Sequence, residues 1–343
     1  MNKKQTLYVL LLGILILALL VVFIDPSKVW LYIEHANIFF LFFAALVELF
    51  GGFLYSLAWY IILKPSGVNV SIKQAYFITM GSLFLIYTTP SGITAEAARI
   101  AMTKKHAAGD YGGPAASVVV HRIIYGLGFV SVASLATFLV YGAISSSPFI
   151  KTVFYAIITT LILAFTAVII SIKANILRNI TKKINAKVEP FLKKFLGSTH
   201  NLNSMKIDET FDNFLKSIRR IAYSRFRLIA SYLVITIRWI LLSVVALLVT
   251  YSIGYYKLSI WEVMIVMMIA EIVSTTPIAI PGMLGILDAA VIGSYVALGT
   301  PVTIATSIDL LTRLILFVVN IPLTGTLFYK YLKDASDQQQ NKS

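Results

Sequence analysis

The sequence predicts an all-α, polytopic membrane protein of about six full spans plus two opposed re-entrant, broken hairpins in an inverted repeat. Three observations predict it. The first is composition: of 343 residues, 58% are hydrophobic and 13% charged, and several apolar runs reach the 18 or more residues that a helix needs to cross a bilayer. The second is a pattern that occurs twice. An apolar run from Ala75 to Tyr87 is cut at Pro90-Ser91-Gly92, with Glu96-Ala97-Ala98-Arg99 just beyond. Late in the chain Pro277, Pro281 and Gly282 cut a second apolar run, with Asp288-Ala289-Ala290 beyond. Each acid is followed about 25 residues later by an arginine inside an apolar segment, Arg122 and Arg313. The third is where the charge sits: the net +14 is concentrated in one polar stretch, 173–227, where thirteen Lys/Arg against four acids leave +9.

Taken in order, the first span runs over about 7–24, from Leu7 to Ile24. Its apolar core is long and Asp25-Pro26 follows it in place of a small-x-small cleavage site, so it reads as a retained span and not a signal peptide. Span two covers about 38–63. Residues 75–89 then enter the membrane and 93–103 leave it. Fifteen helical residues reach only about 22 Å against a core of roughly 30 Å, which favours a re-entrant hairpin over two full spans. Spans three and four lie at about 115–140 and 149–172. In the basic stretch 173–227 the apolar residues Phe211, Phe214, Leu215, Ile218 and Ile221 recur near a helical period. Two readings fit: helices lying on anionic inner-leaflet lipid, or a small helical hairpin between spans. Span five covers about 228–252, a second broken hairpin 260–298, and span six about 303–329. The polar tail 330–343 reads as disordered.

Sides follow from the basic loop, which the positive-inside rule makes cytoplasmic. Counting spans outward from it puts both termini in the cytoplasm and makes the chain a multi-pass protein of the cytoplasmic membrane. The first hairpin then opens from the cytoplasm and the second from the exterior. The repeats are 38–140 and 228–329, and their interrupted segments at matched places point to a transport site. Backbone breaks at depth must face protein or a wet cavity.

Ionisable residues at mid-span cost on the order of 2.5–3.5 kcal/mol each. This chain places Glu48, Glu96, Arg99, Arg122, Arg238, Glu271, Asp288, Asp309 and Arg313 at depth, with His121 beside Arg122. Some are explained by packing alone: Glu96 with Arg99 and Asp309 with Arg313 as helix-face pairs, Glu48 with Arg238 as a tie between spans two and five. The recurrence of Glu96 with Arg122 and Asp288 with Arg313 is less well explained that way. Trp30, Trp59 and Trp261 fall near span ends, as an interfacial belt requires, while Trp239 beside Arg238 is assigned to a cavity wall. Gly51-Gly52, Gly112-Gly113 and Gly126 with Gly128 read as close-approach points between helices.

Other chemistries are poorly served. There is no cysteine and only four histidines, with no metal-ligand spacing, so no cofactor or metal is expected. Walker A, GxSxG and HExxH sequences are absent. The positive charge reads as topology and not as a nucleic-acid surface.

The segments Leu57–Ser71, Pro90–Arg99, the Arg122-bearing span and Pro281–Ala290 resemble, in order and spacing, the transmembrane region of the lysylphosphatidylglycerol synthases. That family also includes stand-alone membrane proteins and membrane parts fused to archaeal glycosyltransferases. The likeness covers about 7–332. It implies the flippase half of such synthases, without the soluble aminoacyl-transferring half, and by motif match it carries over Glu96, Arg99, Arg122, Asp288 and Arg313 as translocation residues. Two positions depart from the family's habit: His121 stands where Glu often precedes the arginine, and Asp288 where Glu is common.

The reading is therefore a non-enzymatic lipid flippase that passes the headgroup of a membrane phospholipid or glycolipid through a wet groove. Glu96 and Asp288 would face a cationic or hydroxyl-rich headgroup part, and Arg99, Arg122 and Arg313 its phosphate. Alternatives are a membrane-embedded enzyme such as a lipid diphosphate phosphatase, a non-catalytic partner subunit of a glycosyltransferase, and small-solute transport. A homodimer partner is also compatible with the sequence.

Overall fold

The computed structural model describes residues 26–88, 93–107, 110–144, 159, 204–274 and 285–340. The elements within them are all helical: α1 (Pro26–Glu34), α2 (Ile38–Leu63), α3 (Ile72–Thr88), α4 (Ile93–Thr103), α5 (Gly112–Ile144), α6 (Ser204–Tyr223), α7 (Arg225–Ser252), α8 (Ile260–Ser274), α9 (Ile286–Ala297) and α10 (Val302–Gln340). Two short 3-10 turns, Lys64–Ser66 and Lys104–His106, follow α2 and α4. Four segments are long and apolar enough to cross a membrane: Ile38–Ser66, Gly112–Val140, Arg225–Ser252 and Val302–Lys333. They coincide with predicted spans two, three, five and six. The predicted spans at 7–24 and 149–172 lie outside the described residues, as do the breaks at Pro90, Gly92, Pro277, Pro281 and Gly282.

Helices α2 and α7 form the central pair, and their contacts fix an antiparallel register. The Asn37 amide at the start of α2 donates to Ser252 O at the end of α7. At the other end the Ser231 hydroxyl donates to Ala58 O at 2.9 Å. One end of this pair gathers the turn at 64–66, the start of α5 and α6. A Cβ on Gly112 would lie 2.5 Å from Thr210 O, and one on Gly113 2.9 Å from Ser66 O, so only glycine lets the α5 backbone sit this close. Ser217 of α6 donates to Ser66 O at 2.9 Å. The opposite end holds the start of α2 and the loop before α8, where Tyr251 meets Phe40 and Tyr256.

Around the pair, α3 packs with α4 and α8 with α9. Helix α5 lies on α8 and α10 lies on α3. The α10–α3 contact is close and antiparallel. Phe84 meets Phe328, and a Cβ on Gly325 would lie 3.1 Å from the Phe84 ring. Lys330 stands over the Phe77 ring. A main core joins most of the helices, with Trp59, Trp239, Ile62, Leu63, Ile235 and Tyr295 fully buried, and a smaller cluster gathers Ala44, Val245, Val249 and Leu311. Much of α2 faces outward instead: Ile38, Phe39, Phe42 and Phe50 are exposed, as a lipid-facing surface requires.

Three sequence readings change, at Trp59, Trp239 and the tail, and α6 fits one of the two readings left open for the basic stretch. Trp59 is not an interfacial residue; it is buried, and its indole N–H donates to Ser117 Oγ at 3.1 Å. Trp239 likewise sits in the core and not in a cavity wall, donating to Tyr125 O, with the Tyr125 ring tilted against it and the Phe129 ring edge-on. The apolar face of α6 packs on protein: Ile221 is buried, and Phe214 and Ile218 lie against the main core. The tail from Lys330 does not break away from the last span, since α10 continues to Gln340. No proline or glycine follows Gly325, and Lys, Asp, Ala and Gln all tolerate helix.

Candidate functional site

Of the charges predicted at depth, all but Arg99 gather in two clusters. In the first, Arg122 on α5 pairs with Glu96 on α4, Nε to Oε1 at 3.5 Å. The pair is accessible: the side chains are 51% and 30% exposed. The Arg122 guanidinium also stands over the Tyr125 ring, one turn on along α5. Glu271, near the end of α8, lies in the field of Arg122 and of Arg238 and takes a hydrogen bond from the Tyr125 hydroxyl. Ser274 donates to the same carboxylate at 3.2 Å. Arg238 on α7 then reaches Glu48 on α2, Nη2 to Oε2 at 3.2 Å. Asn320 on α10 completes this end, donating to Glu48 Oε1 at 2.9 Å. Alternating acids and arginines therefore connect α4, α5, α8, α7 and α2, and Asn320 adds α10.

The second cluster is closed. Arg313 on α10 is paired with Asp288 on α9, and the side chains are 13% and 5% exposed. Asp288 sits at the third position of α9 because its other oxygen caps the helix. The Gly285 amide donates to Oδ2 at 2.6 Å, and Gly285 has φ +84°, a conformation that glycine adopts without strain. Asp309, one turn before Arg313, is buried against the same pair, in hydrogen-bonding contact with Asp288. Two carboxyls and one guanidinium thus share a site shielded from water.

Arg99 stands apart from both. It does not pair along its own helix with Glu96, which turns to Arg122 instead. Arg99 is 1% exposed, and its guanidinium is held by Ser82 Oγ at 3.4 Å, His121 Nδ1 at 3.4 Å and the Tyr55 hydroxyl at 3.3 Å. The rings of Tyr55 and Trp59 lie 5.3 and 5.4 Å from its Cζ, within cation–π range. His121, also buried, packs edge-on to Tyr55 at 4.7 Å. Arg99 and His121 are enclosed here, so their contribution runs through Tyr55, whose other neighbours are Tyr125 and the field of Arg122.

Sequence reading found the acids and arginines but missed the polar groups that complete them. Tyr55, Tyr125 and Asn320 carried no motif. The available signal was position: Tyr125 follows Arg122 by three residues and so shares its helix face, and Asn320 is the amide in an otherwise apolar run ahead of Pro322. Nothing local marks Tyr55, four residues before Trp59 on α2, as a partner of Arg99.

Four apolar spans with ion pairs between their helices, two of these pairs buried, define an integral, multi-helix membrane protein with charge in its interior. The chain belongs to the lysylphosphatidylglycerol synthase TM region family, whose sequence model matches residues 10–323. Its relatives include a UPF0104 membrane protein of Archaeoglobus fulgidus, 23% identical over 78% of this chain and 80% of the relative. Another is a UPF0104 membrane protein of Methanocaldococcus jannaschii, 23% identical over 99% of this chain and 98% of the relative. A third, from Methanothermobacter thermautotrophicus, is 20% identical over 97% of this chain and 99% of the relative. No solved structure matches the sequence.

Proposed function

We propose that this protein moves a lipid with a polar headgroup across the membrane. The observation that carries the reading is the repeated acid–arginine pair. Glu96 with Arg122 and Asp288 with Arg313 each join the short helix after a break to the long helix that follows it. Isolated glue does not need to recur at matched places, and apolar packing would hold the helices as well or better.

In this reading α2–α5 and α7–α10 are the two halves of an inverted repeat, entering from opposite faces. The packing supports it. The mouth of the first hairpin, between α4 and α5, leads to Gly113 beside Ser66 at one end of the central pair. The mouth of the second, between α7 and α8, lies at the other end, beside Asn37. Each half also packs its last long helix on the first limb of the other half's hairpin. A pathway lined by both hairpins is how many transporters place a site at mid-membrane.

The roles follow from charge. Arg122 and Arg313 are the forks for a headgroup phosphate, and Glu96 and Asp288 receive its cationic or hydroxyl part. Acyl tails remain in the bilayer, so only the headgroup needs polar company. The exposed first pair is ready to receive it; the second is shut. Arg99 is a positioning residue here, bracing Tyr55 beneath the first pair. Family membership supports the lipid reading over small-solute transport.

The test is purified protein in vesicles containing a trace of acyl-labelled phosphatidylglycerol and, in parallel, phosphatidylcholine, with an impermeant quencher added outside. Loss of fluorescence beyond the outer-leaflet half, at least tenfold faster than in protein-free vesicles, is the expected result. Rates equal to protein-free vesicles for both lipids would remove the proposal for phospholipids of these classes.

A further inference from the structure

Charge also gathers at the elbow between α6 and α7, away from the clusters above. Helix α6 ends at Tyr223 and α7 begins at Arg225, with Ser224 between them. A surface recess opens there, lined by Pro65 and by residues from Arg220 to Arg227 that include three arginines and no acid. Arg220 reaches over the turn after α2, where a Cβ on Gly67 would lie 3.4 Å from its Nη1. Two aromatic rings flank the arginines almost wholly uncovered, Tyr223 at 85% and Phe226 at 90%. In water such rings would gain nothing. At the end of a membrane span, headgroup level is where aromatic side chains settle, and α7 is one of the four apolar spans. The Ser224 hydroxyl donates backward to Arg220 O at 3.1 Å and does not cap α7, leaving the positive end of that helix dipole open beside the arginines.

We propose that this elbow binds the phosphodiester headgroup of an anionic phospholipid. Arg220, Arg225 and Arg227 hold its phosphate, and Tyr223 and Phe226 seat among the adjoining acyl chains. Three guanidinium forks and no acid supply the charge complement, since arginine matches phosphate oxygens in pairs of hydrogen bonds. The flanking rings select a lipid over a free anion. The site does not depend on whether the protein moves lipid.

The experiment counts phosphatidylglycerol retained by the full-length, delipidated protein in a zwitterionic detergent, by native mass spectrometry across a lipid titration. Each of Arg220→Gln, Arg225→Gln and Arg227→Gln is expected to weaken one binding event about fivefold, following the roughly 1 kcal/mol that one basic residue contributes near anionic lipid. The triple variant is expected to lose one bound phosphatidylglycerol relative to wild type, with phosphatidylcholine binding unchanged. Tyr223→Ser with Phe226→Ser, which keeps every charge, should weaken the long-chain lipid but not a short-chain soluble phosphatidylglycerol. Arg225→Gln alone serves if the triple variant fails to fold, as Arg225 is exposed. Unchanged phosphatidylglycerol counts in the arginine variants would overturn the site. Displacement of the lipid by inorganic phosphate at equal concentration would make it a free-anion site and overturn the lipid assignment.

Discussion

Replacing Arg313 by methionine is expected to stop lipid movement and to cost about 3–5 kcal/mol of stability, whereas Arg122→Met should stop movement and leave the fold nearly intact. The difference comes from burial. Arg313 and Asp288 are almost closed off, and Asp309 lies against the same carboxylate. Removing the guanidinium leaves two acids in contact in a dry site, where an unpaired charge carries its whole desolvation penalty. Asp288 would keep its hydrogen bond from Gly285, so α9 loses its counter-charge and not its cap. Arg122 is half exposed and its partner Glu96 partly so, so the carboxylate left when the arginine is gone is not sealed inside the protein. Stability is read from thermal unfolding in detergent and movement from the vesicle assay. Equal stability losses in the two variants would mean that the pairs are equally enclosed; normal movement in either would remove that arginine from the pathway.

The second large effect separates structure from function. Arg238→Leu should lower stability by about 3–5 kcal/mol, because Glu48 is left 4% exposed with Asn320 as its remaining partner. Adding Glu48→Leu should recover most of that loss. Two leucines in this interhelical contact bury no charge, and such apolar replacements are often neutral or better. The double variant should still move lipid, since this pair ties α2 to α7 and is not one of the repeated pairs. Stability of both variants and of Glu48→Leu alone forms the mutant cycle that isolates the coupling. If the double variant is stable but inert, Glu48 and Arg238 belong to the pathway and the division drawn here is wrong.

Much of this architecture was legible in the sequence for a simple reason: in lipid, polar groups need partners. That constraint made apolar runs into spans and made Glu96, Arg122, Asp288 and Arg313 conspicuous, and the structure brings these together in pairs. It also exposed Glu48 and Arg238 as a tie. The same logic misled at Arg99. Spacing of three along one helix offers Glu96 as a partner, but side chains 17, 22 and 44 residues away in other helices cannot be read from spacing. Tyr55, Ser82 and His121 surround the guanidinium instead. Trp59 and Trp239 misled through position: near a span end tryptophan reads as interfacial, and beside a charge as cavity wall, yet both indole N–H groups find acceptors in the core. Gly112 and Gly113 were legible as a close-approach point, but that α6 lands on the first and the Ser66 turn on the second appears only once those backbones are placed.

Opposite entry of the two hairpins is the claim on which the pathway rests, and sided thiol labelling tests it most directly. The natural chain contains no cysteine, so each introduced thiol is the only one present. Tyr111→Cys reports the mouth of the first hairpin and Tyr256→Cys that of the second; both native side chains are well exposed. Sealed vesicles of one orientation, treated with an impermeant maleimide, should label one of these positions from outside and the other only after the vesicles are opened. Labelling of both from the same face would place the hairpins on one side of the membrane and contradict the inverted arrangement.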